Sequence, residues 1–367
     1  MERKISMNYF IEEVLYTDDL VRTAGNKARD DISTILLDDG FKKMLIDVHV
    51  NDKMRDQASK LKKMKFHYQI NQEWKRKLST LKQGDNLLIQ FPILNHSLFV
   101  AKTVEKVQAK GVHIILLIHD LEMFRVKLKE TTSEAEKKRI TAEEINLLKS
   151  CDKIIAHNAD MKQALVDLGF EADKIVLLEV FDYVVNKLGN TENYAHAHSD
   201  GNIIIAGNLR RHKAAYAYDL PDNVNFNLYG IDYNAEPKDN VHYLGSFLPD
   251  ELPSALDGSF GLVWDGTSVD TCTGTYGQYL KINNPHKVSL YLASGMPIAI
   301  WKEAALAKFV EEHKCGITIS SIGEIEDKLK NMSEEEYEEL KNNTIKESTR
   351  LRKGYYTKKA VAECLKQ

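Results

Sequence analysis

Short apolar runs rich in β-branched residues alternate with helical patterns along the whole chain of 367 residues, and this alternation restricts it to an α/β architecture with parallel sheets. In the first half the candidate strands are residues 9–16, 43–48, 86–90, 113–118, 153–156 and 174–178. Helices are expected over 28–37, where Ile32, Ile35, Leu36 and Leu37 gather on one side, and over 98–110, ahead of Gly111. Turn formers then dominate 186–202, with few aliphatics and no periodicity, as in an interdomain linker. The strand pattern restarts at 203–207 and continues through 225–229, 241–244, 260–264, 297–301 and 316–319. One hydrophobic core does not usually organise a chain this long. The expected division is a first domain over 1–185, a linker over 186–202, a second domain over 203–345 and a final helix over 346–367 that packs back on the first domain. Ser321-x-x-Glu324 and Ser333-x-x-Glu336 read as capping boxes opening two late helices.

Composition removes several function classes. The net charge is −4, with 50 Lys and Arg against 54 Asp and Glu, so the basic footprint of a nucleic-acid binder is missing. Cys151, Cys272, Cys315 and Cys364 are scattered without CxxC spacing, which argues against a zinc site or a disulfide framework. The N-terminus lacks the apolar core of a signal peptide and no run approaches a membrane span, so the expected location is the cytoplasm, including the inner face of the membrane. Lysines crowd residues 53–82; a solvated helix face is the ordinary reading, and contact with an anionic membrane or acidic acceptor is the functional one. No GxGxxG and no GxxxxGK[ST] occurs, which takes support from dinucleotide redox and P-loop chemistry.

What the sequence does offer is a phosphate site. Asn284-Pro285 marks a helix start, with Asn284 as N-cap and His286 and Lys287 in the first turn. Unpaired N–H groups, the helix dipole and a lysine together suit a diphosphate. Gly207-Asn208-Leu209-Arg210-Arg211-His212-Lys213 follows the first strand of the second domain, where ligands bind in open α/β sheets. Each motif alone is as readily a core helix or a basic surface turn; paired, they grip phosphate from two sides. No Asp-x-Asp triplet is present, so these cations would replace a metal, and neither metal nor other cofactor is expected. His119-Asp120 ends a strand of the first domain and could serve a hydroxyl as base, although a strand-end histidine often only caps a turn. Thr23, Gly25 and Asn26, before the first helix, and Gln90, at the end of a strand, could line the same cleft. His196-x-His198 has metal-pair spacing but no third ligand nearby in sequence, and is assigned no site.

The segments AGNLRRHK, VHYLGSFLPDEL, GLVWDG, NNPHKVSLYLASGMPIAI and LRKGYYTKKAV, in that order, resemble the bacterial glucosyltransferases that extend glycans on streptococcal serine-rich adhesins, and equally the related galactofuranosyltransferases. TAGNKA, IQFPILN and IHDLE carry the resemblance through the first half. It implies a GT-B glycosyltransferase of two facing Rossmann-like domains, with UDP-sugar held mainly by the second and acceptor by the first. It also implies self-association as a dimer or tetramer. Carried onto this chain, Arg211 and Lys287 match diphosphate contacts, Ser246 lies in the nucleotide-side loop, and Thr23 falls in a donor-facing loop. The nucleotide-sugar site is thus expected at Asn208, Arg211, Lys213, Ser246, Lys281, Asn283, Asn284 and Lys287, with His119 or Asp120 accepting or orienting the acceptor proton if the product is inverted. The expected activity is metal-independent hexosyl transfer, of glucose or galactofuranose, to a glycan or glycoprotein hydroxyl in cell-surface glycan assembly. A non-catalytic partner of another glycosyltransferase and a UDP-sugar epimerase are the alternatives.

Overall fold

The computed structural model describes residues 6–14, 26–48, 59–94, 99–185 and 194–366. Its first sheet contains β1 (Asn8–Glu13), β2 (Lys42–Ile46), β3 (Asn86–Phe91), β4 (His113–Ile118), β5 (Lys153–Ala156) and β6 (Ile175–Leu177), all parallel and ordered β2-β1-β3-β4-β5-β6. In β4, Ile114 through Ile118 are fully buried, because helices cover both faces of a parallel sheet and leave no side for polar residues. A short parallel pair joins β7 (His196–Ala197), within the linker expected over 186–202, to β11 (Asp257–Gly258). The second sheet contains β8 (Ile203–Asn208), β9 (Phe226–Ile231), β10 (Val241–Tyr243), β12 (Gly261–Val263), β13 (Ile298–Trp301) and β14 (Gly316–Ile319), ordered β10-β9-β8-β12-β13-β14.

Strand order reverses once in each sheet, between β1 and β3 in the first and between β8 and β12 in the second. Such a reversal sends the two flanking connections to opposite faces and leaves a crevice beyond the strand carboxyl ends. Gly207-Asn208 end β8 and Trp264-Asp265 follow β12, so the second crevice opens between these two segments. The helix His286–Ala293 lies close against this sheet because Gly261 has no side chain: a Cβ there would stand 2.2 Å from the Tyr291 ring.

The lysine-rich helix runs Lys60–Leu78 and buries Phe66, Ile70, Trp74 and Leu78, four residues apart, while Lys62, Lys65, Lys75 and Arg76 stay exposed. Ser333 forms a complete capping box with Glu336 at the start of Glu334–Arg352. Ser321 does not: it precedes a 3-10 turn, Ile322–Glu324, and Glu324 accepts instead from the Ser320 N–H. The last helix, Tyr355–Cys364, touches β5 and β6 of the first sheet, and its Ala360, Val361 and Cys364 join Phe10 and Leu117 in one apolar cluster.

Residues 265–284, which connect β12 to the helix His286–Ala293, contain the helix Gly274–Tyr279, which packs on Glu122–Lys127 of the first half. Its Tyr279 is buried in the first sheet's core cluster and its hydroxyl accepts from the Leu121 N–H at 2.9 Å. The loop is therefore a plug between the two sheets. All four cysteines are buried free thiols.

Candidate functional site

The second crevice is built around Lys287. Its Nζ donates to the Trp264 carbonyl at 2.8 Å and to Asp265 Oδ1 at 2.7 Å, which spans the lysine from its own helix to the end of β12. Gly207, at φ +125°, turns the chain beside it, and a Cβ on that glycine would sit 3.5 Å from Lys287 Cε. The positive φ selects glycine here, whereas that distance is ordinary van der Waals contact. The basic turn is tied to the same place, since Gly266 N–H donates to the Lys213 carbonyl at 3.0 Å and Ala214 forms a parallel bridge with Gly266. Asn208 Oδ1 accepts from the Arg210 N–H at 3.0 Å and shapes that turn. Arg210 pairs with Asp232, whereas the exposed Arg211 lays its guanidinium 3.9 Å over the Tyr218 ring. Lys213 stands 5.6 Å from the centre of Tyr276.

Facing these cations is the end of β4. Gln90, buried on β3, donates through Nε2 to the Arg29 carbonyl and to Ser33 Oγ, which fixes its amide orientation and turns Oε1 toward His119. His119 Nε2 must therefore donate to Gln90 Oε1 at 2.7 Å, and in the neutral ring Nδ1 carries the free lone pair. Burial first, and then the positive charge of Arg29, hold His119 well below the usual histidine range. The ring stacks on Phe181 at 5.4 Å. Asp120 is pushed up by burial, partly offset by Arg125 and by Lys213, so the field of the basic turn reaches the first domain's carboxylate.

Asn284 has a different place from the one expected. It does not cap the helix: the N-cap position is Pro285, with no side-chain cap bond. Its N–H donates to His157 Nδ1 at 2.8 Å, its Nδ2 to the His157 and Glu179 carbonyls, and its Oδ1 accepts from Asn158 Nδ2. A buried side chain with both amide N–H groups and its oxygen engaged belongs to the joint between the sheets, not to a ligand surface. Burial lowers His157 to about 4 and His286 to about 3, so both rings are neutral near pH 7. His286 stacks on Tyr183 at 5.1 Å, and its Nε2 is buried without a hydrogen-bond partner.

The remaining expected residues are scattered. Asn283 Oδ1 is likewise buried and unpartnered, whereas Lys281 is exposed and paired with Glu303 at 2.9 Å. Ser246 is half-buried in the segment after β10; that segment docks on the first half through Tyr183 Oη to the Pro249 carbonyl at 2.6 Å and Lys27 to Asp250 at 3.0 Å. Asn26 and Gln90 line a small cavity of about 180 Å³ with Arg29 and Ser33. Thr23 and Gly25 lie outside the described residues. Sequence reading missed Asp265, His157, Tyr279 and Phe181. Only Asp265, between the Trp264 strand end and Gly266, carried a local sign, as a carboxylate at a strand terminus followed by glycine.

The N-terminal domain model of the glucosyltransferase 3-like family matches residues 8–180 and its C-terminal domain model matches 203–364. The chain is 39% identical over 222 residues to the beta-1,6-galactofuranosyltransferase WbbI of Escherichia coli, a match taking in 59% of this chain and 64% of that protein, a little under two thirds of the relative's length. It is 27% identical over 314 residues to glucosyltransferase 3 of Streptococcus parasanguinis, covering 82% of this chain and 87% of that one. Among solved structures, a UDP-forming α,α-trehalose-phosphate synthase from Burkholderia vietnamiensis superposes with a TM-score of 0.62 at 11% identity, over 98% of this chain and 99% of that one. A sucrose-phosphate synthase from Thermosynechococcus elongatus gives 0.59 at 12% identity, over 94% of each chain. The fold is GT-B, as the resemblance implied, and with both domain models matched in order the chain belongs to the glucosyltransferase 3-like family.

Proposed function

We propose that the chain transfers a hexosyl unit from a UDP-sugar to a hydroxyl of a glycan or glycosylated protein, in the assembly of cell-surface glycans. The observation that carries this reading is the convergence of Lys287, the Gly207 turn and the start of helix His286–Ala293 at the second crevice, opposite His119 and Gln90. The diphosphate rests against Lys287 and Arg211, and the donor C1–O bond breaks as charge accumulates on the leaving UDP. Cations already in place stabilise that charge without reorganising, and preorganised charge of this kind commonly contributes more to catalysis than any other single effect. Lys287 and Arg211, with the helix terminus, serve in place of a metal.

In an inverting reaction the acceptor oxygen bonds to C1 while its proton passes to His119 Nδ1, which Gln90 keeps unprotonated and aimed. A retained anomer removes the need for that base. The higher identity to the galactofuranosyltransferase ranks galactofuranose ahead of glucose as the donor sugar. No described helix is long and apolar enough to cross a membrane. Peripheral contact with an anionic membrane, or self-association, is supported by helix Lys60–Leu78, which exposes Leu61, Met64 and Tyr68 beside Lys62 and Lys65.

The test is calorimetric titration in EDTA with UDP, UDP-glucose, UDP-galactose and UDP-galactofuranose, with GDP and ADP as controls, followed by transfer assays. Uridine-selective binding with turnover on an acceptor supports the reading. Binding without turnover on any acceptor favours the non-catalytic partner, and conversion of the sugar with no acceptor present favours an epimerase.

A further inference from the structure

The two histidines of the linker gain in the fold the third ligand that their sequence neighbourhood lacks. β7 pairs in parallel with β11, setting His196 opposite Asp257. His196 and His198 are two residues apart and, as strand geometry requires, lie on the same side, with ring centres 4.7 Å apart. His198 Nε2 is 3.0 Å from Asp257 Oδ1 and His196 Nδ1 is 3.4 Å from Asp257 Oδ2. One ligand atom from each of the three residues lies within 4.8 Å of the others. Bonds of ~2.0–2.1 Å to a tetrahedral ion place neighbouring ligands about 3.3 Å apart, so little movement is needed.

Three features lift this cluster above a chance surface contact. The backbone beneath it is fixed: His196 N–H donates to the Leu256 carbonyl at 3.0 Å, His198 N–H to the Gly258 carbonyl at 3.1 Å, and Asp257 N–H to Tyr229 Oη at 3.2 Å. Asp200 Oδ1 lies 2.7 Å from His198 Nδ1, where a carboxylate sets the tautomer that leaves Nε2 free for a metal. Finally, His198 meets a carboxylate at each ring nitrogen, Asp200 at Nδ1 and Asp257 at Nε2, so the ring is already oriented with Nε2 toward the cluster.

We propose that His196, His198 and Asp257 bind one divalent transition-metal ion of the zinc class, with Asp200 orienting His198. Two imidazoles and a carboxylate suit Zn²⁺, Co²⁺ or Ni²⁺ and leave a position open to water. The site lies at the amino end of β8, whereas Gly207 and Lys287 lie at its carboxyl end, about 16 Å away at ~3.3 Å per strand residue. The ion is therefore not the diphosphate's counter-ion. It ties the linker side of the chain, through β7, to the edge of the second domain.

Tag-free full-length protein is titrated with Zn²⁺ by calorimetry and with Co²⁺ by visible absorption, and melting is followed with and without Zn²⁺. The expected result is one ion per chain, a Zn²⁺-dependent rise in melting temperature, and at least ~10-fold weaker binding in His198→Ala and Asp257→Asn. Asp200→Asn loses about 10- to 100-fold, as for other carboxylates behind a ligating histidine. Metal-free circular dichroism checks each variant's fold, and the largely exposed His196→Gln serves where another variant misfolds. Absence of wild-type binding, or wild-type affinity retained in folded His198→Ala, Asp257→Asn or His196→Gln, overturns the proposal.

Discussion

The Lys287 ammonium rests 2.7 Å from the Asp265 carboxylate, with only 12% of the lysine side chain and 9% of the aspartate side chain open to solvent. The pair joins the first turn of one helix to the end of β12, so the cation assigned to the diphosphate is positioned before any ligand arrives.

Lys287→Ala should lower transfer by about 100-fold or more and weaken UDP binding. It also leaves Asp265 buried beside no cation, at a cost of about 3 kcal/mol in stability. Adding Asp265→Asn should restore most of that stability without restoring UDP affinity. Denaturant unfolding and calorimetry read the two effects separately; full UDP affinity in the single variant would place the diphosphate elsewhere.

Arg211 is exposed and stacks on Tyr218, so Arg211→Ala should leave the melting temperature nearly unchanged. Loss of a charge-assisted bond of about 2 kcal/mol should weaken UDP binding roughly 30-fold. Arg211→Lys should recover only part of it, because a point charge replaces a fork. Isothermal titration of the three proteins is sufficient.

Because burial favours the neutral imidazole of His119, its proton-accepting form persists from alkaline pH to well below 6.5. Transfer should therefore be flat in pH around neutrality and fall only on the acid side, through the depressed His119 value. Gln90→Glu puts a carboxylate at the atom 2.7 Å from His119 Nε2, which stabilises the imidazolium and should move the acid limb to higher pH. An acid limb that stays put in Gln90→Glu would remove His119 from the proton transfer.

Asp182 is buried and accepts from the Tyr356 N–H at 3.2 Å and the Thr357 N–H at 2.6 Å, at the start of the helix that docks on the first sheet. Asp182→Ala strands two helix N–H groups and should cost about 1–3 kcal/mol. Hydrogen exchange in Tyr355–Cys364 should speed up more than exchange in β8 or β12.

Local periodicity made much of the scaffold legible. β4 was readable as five consecutive aliphatics with no polar interruption, and Lys287 and Gly207 were readable because a helix start and a strand-end glycine each leave a local mark. Asn284 was misread for the same reason: next to a proline its local preference is to cap, but His157, 127 positions away, takes its N–H and the cap is not made. Tyr279 gave no sign that it would leave its own domain, since an aromatic in a six-residue helix looks alike whichever core receives it.

The sequence by itself determined two parallel α/β halves, a basic crevice in the second and the absence of dinucleotide and P-loop fingerprints, because these depend on spacings of a few residues. Only the tertiary structure decided that Asp265 is the partner of Lys287, that Gln90 sets the tautomer of His119, and that Asp257 stands beside His196. Each of these pairings joins residues more than 20 positions apart, through strand order and domain docking that no local pattern encodes.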